Sequence, residues 1–363
     1  MTDLFSPIQL GDYHLHNRII MAPLTRGRAD DDYTPNQLMA EYYAQRASAG
    51  LIISEATAIS HQGYGWNHAP GIFTKKHQLG WLNVAEQVHK AGGHFFIQLW
   101  HMGRVVIPDF INGQLPVSSS PVKAEGVMRN QQGEKKPYVT PRELTQDEIQ
   151  AVISDYERAS IRAIDAGADG VELHAANGYL VDQFLRNGVN QRTDKYGGSI
   201  ENRTRFLTEI VTALIETVGP GKVGVRLSPT NSYNDMTDSD PDALFTHVAQ
   251  TLDQFNLAYI HIIEPAPDSG HFLAADHTCV TPLMRQAYSG NIIHNGGYTF
   301  DSAQTAIKNN QADAIAFGTL FIANPDLPKR FQEQYPLNKP DTHTFYSHGP
   351  EGYIDYPTYS PNA

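Results

Sequence analysis

The chain has 363 residues, of which 27 are Lys or Arg and 39 are Asp or Glu, so its formal net charge is −12. Its apolar content of 40% fits a globular protein, and acidic charge without a basic run disfavours nucleic acid and anionic membranes, which attract clustered Lys and Arg. The single cysteine excludes an intrachain disulfide, and with no apolar segment near the roughly 18 residues of a membrane span and no recognisable secretion signal we expect a cytoplasmic protein.

Eight short apolar runs, rich in β-branched residues, recur along the chain. Each run is bounded by turn residues and followed by a helical pattern, which is typical of parallel strands that are covered on both faces. The predicted strands cover residues 18–21, 51–54, 94–98, 170–173, 223–226, 259–263, 291–294 and 314–317.

Helical patterns separate these runs. The clearest covers 199–218, where apolar residues recur every three or four positions, Ser199 is placed to cap the N-terminus and Gly219 to end the helix. The other predicted helices cover 35–49, 77–91, 145–166, 240–255, 299–309 and 325–334. Strands alternating with helices in this number predict an α/β fold, a closed (β/α)8 TIM barrel that forms a single domain over residues 1–363.

Two segments fall outside this alternation. Residues 8–15 predict a hairpin that plugs the floor of the barrel. Residues 100–142, after the third strand, are rich in Pro, Gly, Ser and Lys and form too long a connection for an ordinary loop. Because barrel active sites lie beyond the carboxyl ends of the strands, we expect this segment to be a lid rather than a linker.

The residues just past the carboxyl end of each strand should converge above the barrel core. In chain order they are Thr25, Glu55, Ala56, Gln98, Trp100, His174, Asn177, Tyr179, Arg226, Glu264, Asn295, Gly296, Gly297, Gly318 and Thr319. The only carboxylates, Glu55 and Glu264, come from opposite sides of the barrel, which disfavours a glycosidase. No His-x-His follows the first strand, so we expect no metal site.

Gly296, Gly297 and Gly318 follow the seventh and eighth strands, where barrels commonly bind a phosphate through backbone N–H groups. The alternative is that these glycines only relieve strain in the turns. A phosphate site would fit a phosphorylated substrate and a phosphate-bearing cofactor equally well.

Arg226, Gln98 and Thr25 favour the cofactor, and specifically a flavin. A guanidinium stabilises the negative charge that a redox flavin accumulates, an amide can pair with its pyrimidine edge, and a hydroxyl can bond its O4/N5 side. Each residue alone has an ordinary structural explanation. Their coincidence with the phosphate-type glycines weakens that explanation.

His174, Asn177 and Tyr179 form the sharpest local feature. The first two can donate hydrogen bonds to a single oxygen, and the phenol offers a weakly acidic proton. The set therefore suits activation of a carbonyl followed by protonation of carbon. The alternative is a group of polar residues that orders a loop.

Several motifs occur in a consistent order along the chain. They are Met-Ala-Pro-Leu-Thr-Arg at 21–26, Glu-Tyr-Tyr-Ala-Gln-Arg-Ala-Ser-Ala-Gly at 41–50, Leu-Ile-Ile-Ser-Glu-Ala at 51–56, Gln-Leu-Trp-His-Met-Gly-Arg at 98–104, His-Ala-Ala-Asn-Gly-Tyr at 174–179, Arg-Thr-Asp-Lys-Tyr-Gly-Gly-Ser-Ile-Glu-Asn-Arg at 192–203 and Phe-Gly-Thr-Leu-Phe-Ile-Ala-Asn-Pro-Asp at 317–326. Together they resemble the Old Yellow Enzyme family of FMN-dependent ene-reductases, over nearly the whole chain.

This resemblance implies FMN as cofactor and NADPH or NADH as hydride donor in a ping-pong reaction. The residues that would contact the flavin ring are Pro23, Thr25, Ala56, Gln98 and Arg226, and those that would contact its phosphate are Gly296, Gly297, Gly318 and Thr319. The substrates implied are small α,β-unsaturated ketones, aldehydes, imides and nitroalkenes, which receive hydride from flavin N5.

The resemblance also assigns the substrate side of the site. His174 and Asn177 would bind the carbonyl or nitro oxygen, and Tyr179 would protonate the α-carbon. The residues that would line the substrate pocket are Trp66, Trp100 and Tyr346.

One position departs from the family pattern: Thr319 stands where family members usually carry an Arg that grips the FMN phosphate. Losing that contact is expected to weaken FMN binding by roughly 1.5 to 3 kcal/mol unless another group compensates. The departure keeps open a flavin- or phosphate-binding barrel without turnover. A barrel isomerase or aldolase without flavin is disfavoured because no strand-end Lys is available as a Schiff base. The sequence predicts no particular oligomeric state.

Overall fold

The computed structural model describes residues 2–265 and 278–360. Its strands, in chain order, are β1 Ile8–Leu10, β2 Tyr13–Leu15, β3 Ile19–Met21, β4 Leu51–Ile53, β5 Thr57–Ala58, β6 Phe95–Trp100, β7 Val117–Ser118, β8 Val127–Arg129, β9 Lys135–Pro137, β10 Arg142–Glu143, β11 Gly170–His174, β12 Val223–Leu227, β13 Tyr259–Ile263, β14 Ile292–Asn295 and β15 Ala314–Phe317. Its α-helices are α1 Gln37–Ala44, α2 Lys75–Lys90, α3 Gln146–Asp165, α4 Leu180–Leu185, α5 Ile200–Val218, α6 Pro241–Asp253, α7 Thr281–Ala287, α8 Phe300–Lys308, α9 Thr319–Ala323 and α10 Leu327–Gln332. Short 3-10 helices cover Pro108–Phe110, Pro220–Lys222 and Thr342–Thr344.

Eight of the strands pair in parallel and close a barrel in the order β3, β4, β6, β11, β12, β13, β14, β15 and back to β3. These are the eight runs predicted from the sequence, so the predicted (β/α)8 barrel is confirmed. The short β5 pairs in addition with the end of β6. Long helices such as α3 and α5 pack their buried apolar stripes onto the outside of the sheet.

The predicted helix boundaries hold best where caps are present. Ser199 accepts a hydrogen bond from the Asn202 backbone N–H, and Gly219, with φ +90°, ends α5. The helix predicted over 35–49 is wrong in its second half, because α1 ends at Ala44 and the next residues form tight turns, such as that from the Ala49 N–H to the Arg46 carbonyl. The helix predicted over 325–334 is also too long, because the observed helix α10 covers only Leu327–Gln332.

Three helices, α4, α7 and α9, were not predicted. Each has seven residues or fewer, which is too short for a helical period to be distinguished in a sequence. The third barrel strand also runs two residues further than predicted, so that Gln98 and Trp100 lie on β6 itself rather than after it.

The two segments outside the alternation lie at opposite ends of the barrel. The antiparallel hairpin β1–β2 buries Leu10 and Leu15 against barrel residues such as Phe96 and Tyr259, so the predicted floor plug is confirmed. The long segment after β6 carries β7, the β8–β9 hairpin and β10. Its Phe110 packs with the barrel residue Trp100 in one apolar cluster, as expected of a cover over the active face.

Within residues 2–265 and 278–360, no helix has the length and apolar character needed to cross a membrane.

Candidate active site

A cavity of about 280 Å³ lies at the carboxyl ends of the barrel strands. It brings together six of the nine residues predicted to bind the cofactor, namely Pro23, Arg226, Gly296, Gly297, Gly318 and Thr319. Thr25, Ala56 and Gln98 are not among its lining residues. They belong to the neighbouring strand ends β3, β4 and β6 on the same face of the barrel.

Backbone geometry makes one end of this cavity a cradle. Gly296 has φ +144°, and a Cβ added there would lie 1.8 Å from the carbonyl oxygen of Glu264. Gly297 has φ +84°, a conformation that side chains rarely adopt. Larger residues are therefore excluded, and the backbone is left open to a ligand, which is how barrels bind phosphate.

Arg226 supplies a buried positive charge at the same cavity. One terminal nitrogen donates to Oδ1 of Asn295 over 3.0 Å, and Asn295 is itself held by the carbonyl of Ala316. Nε of Arg226 has no hydrogen-bond partner among the described residues. A guanidinium that is always charged and only partly hydrogen-bonded is suited to an anionic ligand group.

Gln98 has one end of its amide committed to a buried carboxylate that the sequence prediction missed. Its Nε2 donates to Oε1 of Glu172 over 2.7 Å, and Oε2 of Glu172 lies 2.8 Å from Nδ1 of His261. The amide oxygen of Gln98 thus remains available to accept a hydrogen bond from a ligand. A signal for Glu172 existed in the sequence, because it lies two residues before His174 and hence on the same face of β11.

The protonation states of this pair follow from competing effects. Burial opposes ionisation of Glu172, but His261 and Arg226 stabilise the carboxylate more and lower its pKa below the usual range. Burial also lowers the pKa of His261, against the attraction of Glu172. An ionised Glu172 therefore accepts the Nδ1 proton of a neutral His261.

Neither strand-end carboxylate considered for glycosidase chemistry is available. Oε2 of Glu55 accepts the backbone N–H groups of Arg26 and Gly27 over 3.0 and 3.1 Å, which anchors the loop carrying Thr25. Glu264 accepts from both the backbone and hydroxyl of Thr281. Both carboxylates hold loops in place, which argues against the glycosidase alternative.

His174 ends β11 and is buried. Its Nδ1 lies 3.4 Å from the backbone nitrogen of Ala176 and accepts that N–H. Burial, reinforced by the positive charge of Arg226, holds the pKa of His174 well below its usual range. The imidazole is therefore neutral, and its single proton is on Nε2, where it can be donated.

Asn177 has the left-handed backbone conformation, with φ +58°. Its Oδ1 accepts from Nδ2 of Asn231 over 2.8 Å, and its backbone N–H donates to the Ser228 hydroxyl over 2.7 Å. The side-chain Nδ2 is left as the free donor. Asn231 was not predicted from the sequence.

Tyr179 lies beside both His174 and Trp100, with ring centroids 4.9 and 5.1 Å away in edge-to-face geometry. Burial, with smaller contributions from phenols including Tyr233 and Tyr346, raises its pKa above the usual range. The hydroxyl therefore remains protonated at every physiological pH.

Aromatic residues surround a second cavity, of about 650 Å³, next to these side chains. Trp66 and Tyr346 line it, with ring centroids 5.4 Å apart, together with Tyr138 and Tyr233. Trp100 is not among its lining residues and is buried, in the same apolar cluster as Ala56. The predicted pocket residues thus belong to neighbouring parts of one aromatic region.

These features fit FMN. The glycine cradle suits a phosphate, the unsatisfied guanidinium of Arg226 suits the electron-accepting end of an isoalloxazine, and the free amide oxygen of Gln98 suits an imide N–H. When bound there, FMN supplies the redox chemistry that amino-acid side chains lack. Arg226 is the only cation among the cavity's lining residues that the structure describes, and Thr319 is a neutral neighbour of the cradle.

Comparison with known proteins agrees with this fit. Residues 3–338 match the NADH:flavin oxidoreductase / NADH oxidase family. The Old Yellow Enzyme homologue from Zymomonas mobilis superposes with a TM-score of 0.95 at 46% identity, covering 98% of this chain and 99% of that one. Morphinone reductase in complex with tetrahydroNAD superposes with a TM-score of 0.94 at 46% identity, covering 100% of this chain and 99% of that one.

Curated relatives are similar over nearly their full length. The 12-oxophytodienoate reductase 2 of Arabidopsis thaliana is 40% identical over 364 residues, which cover 99% of this chain and 96% of that protein. The chain therefore belongs to the NADH:flavin oxidoreductase / NADH oxidase family and is an FMN-dependent, NAD(P)H-consuming ene-reductase of the Old Yellow Enzyme group.

Proposed function

We propose that this ene-reductase acts on the C=C bond of α,β-unsaturated ketones, aldehydes, imides and nitroalkenes. The observation that carries the proposal is that His174 and Asn177, three residues apart, each keep one uncommitted neutral N–H donor, on Nε2 and Nδ2, and that the ring of Tyr179 lies 4.9 Å from that of His174. Two donors and a protonated phenol fit a substrate that has an electron-withdrawing oxygen and a carbon to be protonated.

His174 and Asn177 polarise the substrate oxygen. Because both donors are neutral, the substrate oxygen is not protonated outright, and the hydrogen bonds strengthen as negative charge develops on it. Each donor should lower the barrier by a few kcal/mol, which corresponds to about 10² to 10³ in rate. The β-carbon thereby becomes an acceptor for hydride.

Tyr179 delivers the proton that completes the reduction. Its raised pKa keeps the proton on the oxygen until negative charge has built up on the substrate's α-carbon. The buried rings of Trp100 and His174 limit the orientations of the phenol. Trp66 and Tyr346, on the aromatic cavity, define the space for the rest of the substrate.

On the cofactor side, the residues that would contact the isoalloxazine ring of FMN are Pro23, Thr25, Ala56, Gln98 and Arg226. Those that would hold its phosphate are Gly296, Gly297, Gly318 and Thr319. Arg226 and Gln98 have the strongest support, because each has an uncommitted polar atom in a buried environment. FMN bound here would supply the redox chemistry, with NADPH or NADH as the hydride donor.

The rival hypotheses fit less well. A flavin-binding barrel without turnover would not need Tyr179 beside two donors, and it does not agree with membership of an oxidoreductase family. An isomerase or aldolase without flavin lacks a strand-end Lys for a Schiff base and does not agree with an oxidoreductase family either. We further propose that residues 1–363 form one domain and act in the cytoplasm, since the lone Cys279 suits a reducing compartment.

The visible spectrum of the purified protein tests the proposal. A flavin band near roughly 450 nm should be bleached by NADPH and restored by 2-cyclohexen-1-one under anaerobic conditions. The recovered product should be cyclohexanone. Bleaching without recovery on addition of any enone, imide or nitroalkene would overturn the proposed substrate class, and a flavin band that NADPH does not bleach would favour the binding barrel.

A further inference from the structure

The side chain of Asn177 is useful as a donor only in one of its two amide orientations. A rotation of about 180° about its terminal bond would exchange the N–H group for a carbonyl oxygen, which repels a substrate oxygen. The question is therefore what holds Asn177 in its donating orientation.

Asn231 holds the amide of Asn177 in this orientation through its own hydrogen bonds. Its Nδ2 donates to Oδ1 of Asn177 over 2.8 Å, while its Oδ1 accepts the backbone N–H of Tyr233 over 2.7 Å. Because a backbone N–H can only donate, it fixes which end of the Asn231 amide is the oxygen. That in turn fixes which end of the Asn177 amide is the nitrogen.

Asn231 is held in place by the protein interior. It is 4% exposed, and its backbone carbonyl accepts from Nη1 of Arg186 over 2.9 Å. Arg186 is paired with the buried Asp182 at 2.9 Å, and Asp182 accepts the backbone N–H of Gly178 over 2.8 Å. One buried ion pair thus anchors both the loop of Asn177 and the loop of Asn231.

We propose that Asn231 is a positioning residue for the ene-reductase reaction. The Tyr233 backbone N–H orients the side-chain amide of Asn231, and Asn231 in turn orients the side-chain amide of Asn177. The inference rests on the proposed role of Asn177 as a donor to the substrate oxygen. It adds a residue that touches no substrate and that determines whether Asn177 attracts or repels it.

Two substitutions separate orientation from simple structural support. Asn231→Asp keeps the shape and the acceptor for the Tyr233 N–H but has only acceptors to offer Asn177, so the amide should turn its N–H towards Asp and its oxygen towards the substrate. Asn231→Leu removes both hydrogen bonds without forcing either orientation. A merely structural role would make the Leu variant worse, because Asp retains the bond to the backbone.

The measurement is the limiting rate of flavin reoxidation by 2-cyclohexen-1-one, taken on FMN-loaded protein by stopped flow. We expect Asn231→Asp to lower it on the order of 10²-fold, about as much as Asn177→Leu, and Asn231→Leu to lower it less. The double variant Asn177→Leu/Asn231→Asp should be no slower than Asn177→Leu alone. Additive losses, or a greater loss for Leu than for Asp, would overturn the proposal.

Asn234 provides a matched control. Its Nδ2 donates over 2.8 Å to the backbone carbonyl of Asn177 rather than to the side chain, so Asn234→Asp removes a similar bond without affecting the amide orientation. We expect the loss of reoxidation rate in Asn234→Asp to be at least tenfold smaller than the loss in Asn231→Asp. If Asn177→Leu itself has no effect, the proposed function fails; if only the Asn231 variants have none, the positioning role fails.

Discussion

Nε2 of Gln98 donates to Oε1 of Glu172 over 2.7 Å at the centre of the barrel. This contact occupies the amide nitrogen of Gln98, leaves its oxygen available to a ligand, and places the negative charge of Glu172 beside the amide. In Glu172→Gln the charge disappears, and reduced flavin, which carries negative charge, should be stabilised. We expect the flavin midpoint potential to rise on the order of 30 mV, or about 1.4 kcal/mol for two electrons, measured by spectroelectrochemistry.

Glu209 offers the control for this variant. It forms a comparable contact with Gln150 at 3.1 Å on the protein surface. Glu209→Gln should leave both the potential and the FMN dissociation constant unchanged. An unchanged potential in Glu172→Gln would mean that the carboxylate is not sensed by the flavin.

Tyr179→Phe should separate the two halves of the catalytic cycle. Removal of the proton donor should slow flavin reoxidation by an enone on the order of 10²-fold and leave reduction by NADPH nearly intact, as followed by stopped-flow absorbance of the flavin. In the unsubstituted protein the raised pKa of Tyr179 keeps the phenol protonated, so the reoxidation rate should not fall between pH 7 and 9.

Tyr156 serves as the comparison for Tyr179. It is buried in α3, and its hydroxyl has no partner among the described residues. Tyr156→Phe should leave both half-reactions unchanged. Equal slowing of both half-reactions in Tyr179→Phe would contradict the role of this phenol as proton donor.

Buried histidines should make the protein sensitive to acid. Burial lowers the pKa of His101 to about 3 and that of His294 to about 4, against an ordinary value near 6.5. The unfolded chain therefore binds protons that the folded chain does not, so stability is lost as the pH falls below about 6.5. We expect each histidine to reduce the free energy of unfolding by roughly 2 kcal/mol between pH 7 and 5, measured by urea titration with excess FMN.

The contribution of a single histidine can be isolated by substitution. His101→Gln should reduce the dependence of the unfolding free energy on pH, since one titrating group is gone. Equal pH profiles for His101→Gln and the unsubstituted protein would contradict the assignment.

Thr319→Arg should tighten FMN binding. Thr319 lines the 280 Å³ cavity together with the glycine cradle proposed for phosphate, and Arg226 is the only cation among the described lining residues. A guanidinium at this position can form a charge-assisted contact with phosphate worth about 1.5 to 3 kcal/mol, or roughly 10- to 100-fold in the dissociation constant. Fluorescence titration of the flavin-free protein measures this change.

Riboflavin provides the internal control for Thr319→Arg. It carries the same ring system without the phosphate, so its dissociation constant should not change. Tightening of both flavins would point to a general effect on the cavity. Tightening of neither would mean that other groups already compensate for the missing guanidinium.

The sequence by itself determined the barrel fold and which residues come together at the candidate site. Apolar runs of strand length, separated by helical patterns, require a parallel sheet with crossovers, and the carboxyl ends of parallel strands meet on one face. This is why Arg226 and Gly297 could be assigned to one cavity without coordinates. The short α7 escaped prediction because seven residues do not display a helical period.

Only the tertiary structure decided what each polar side chain can do. The partners that orient Gln98 and Asn177 are Glu172 and Asn231, which are 74 and 54 residues away in the chain. The direction of a side-chain amide depends on which partner meets it after the barrel closes, and that meeting has no local sequence signature. The residues of the site can thus be predicted from the sequence. The donor and acceptor roles of their side chains depend on contacts that exist only in the closed barrel.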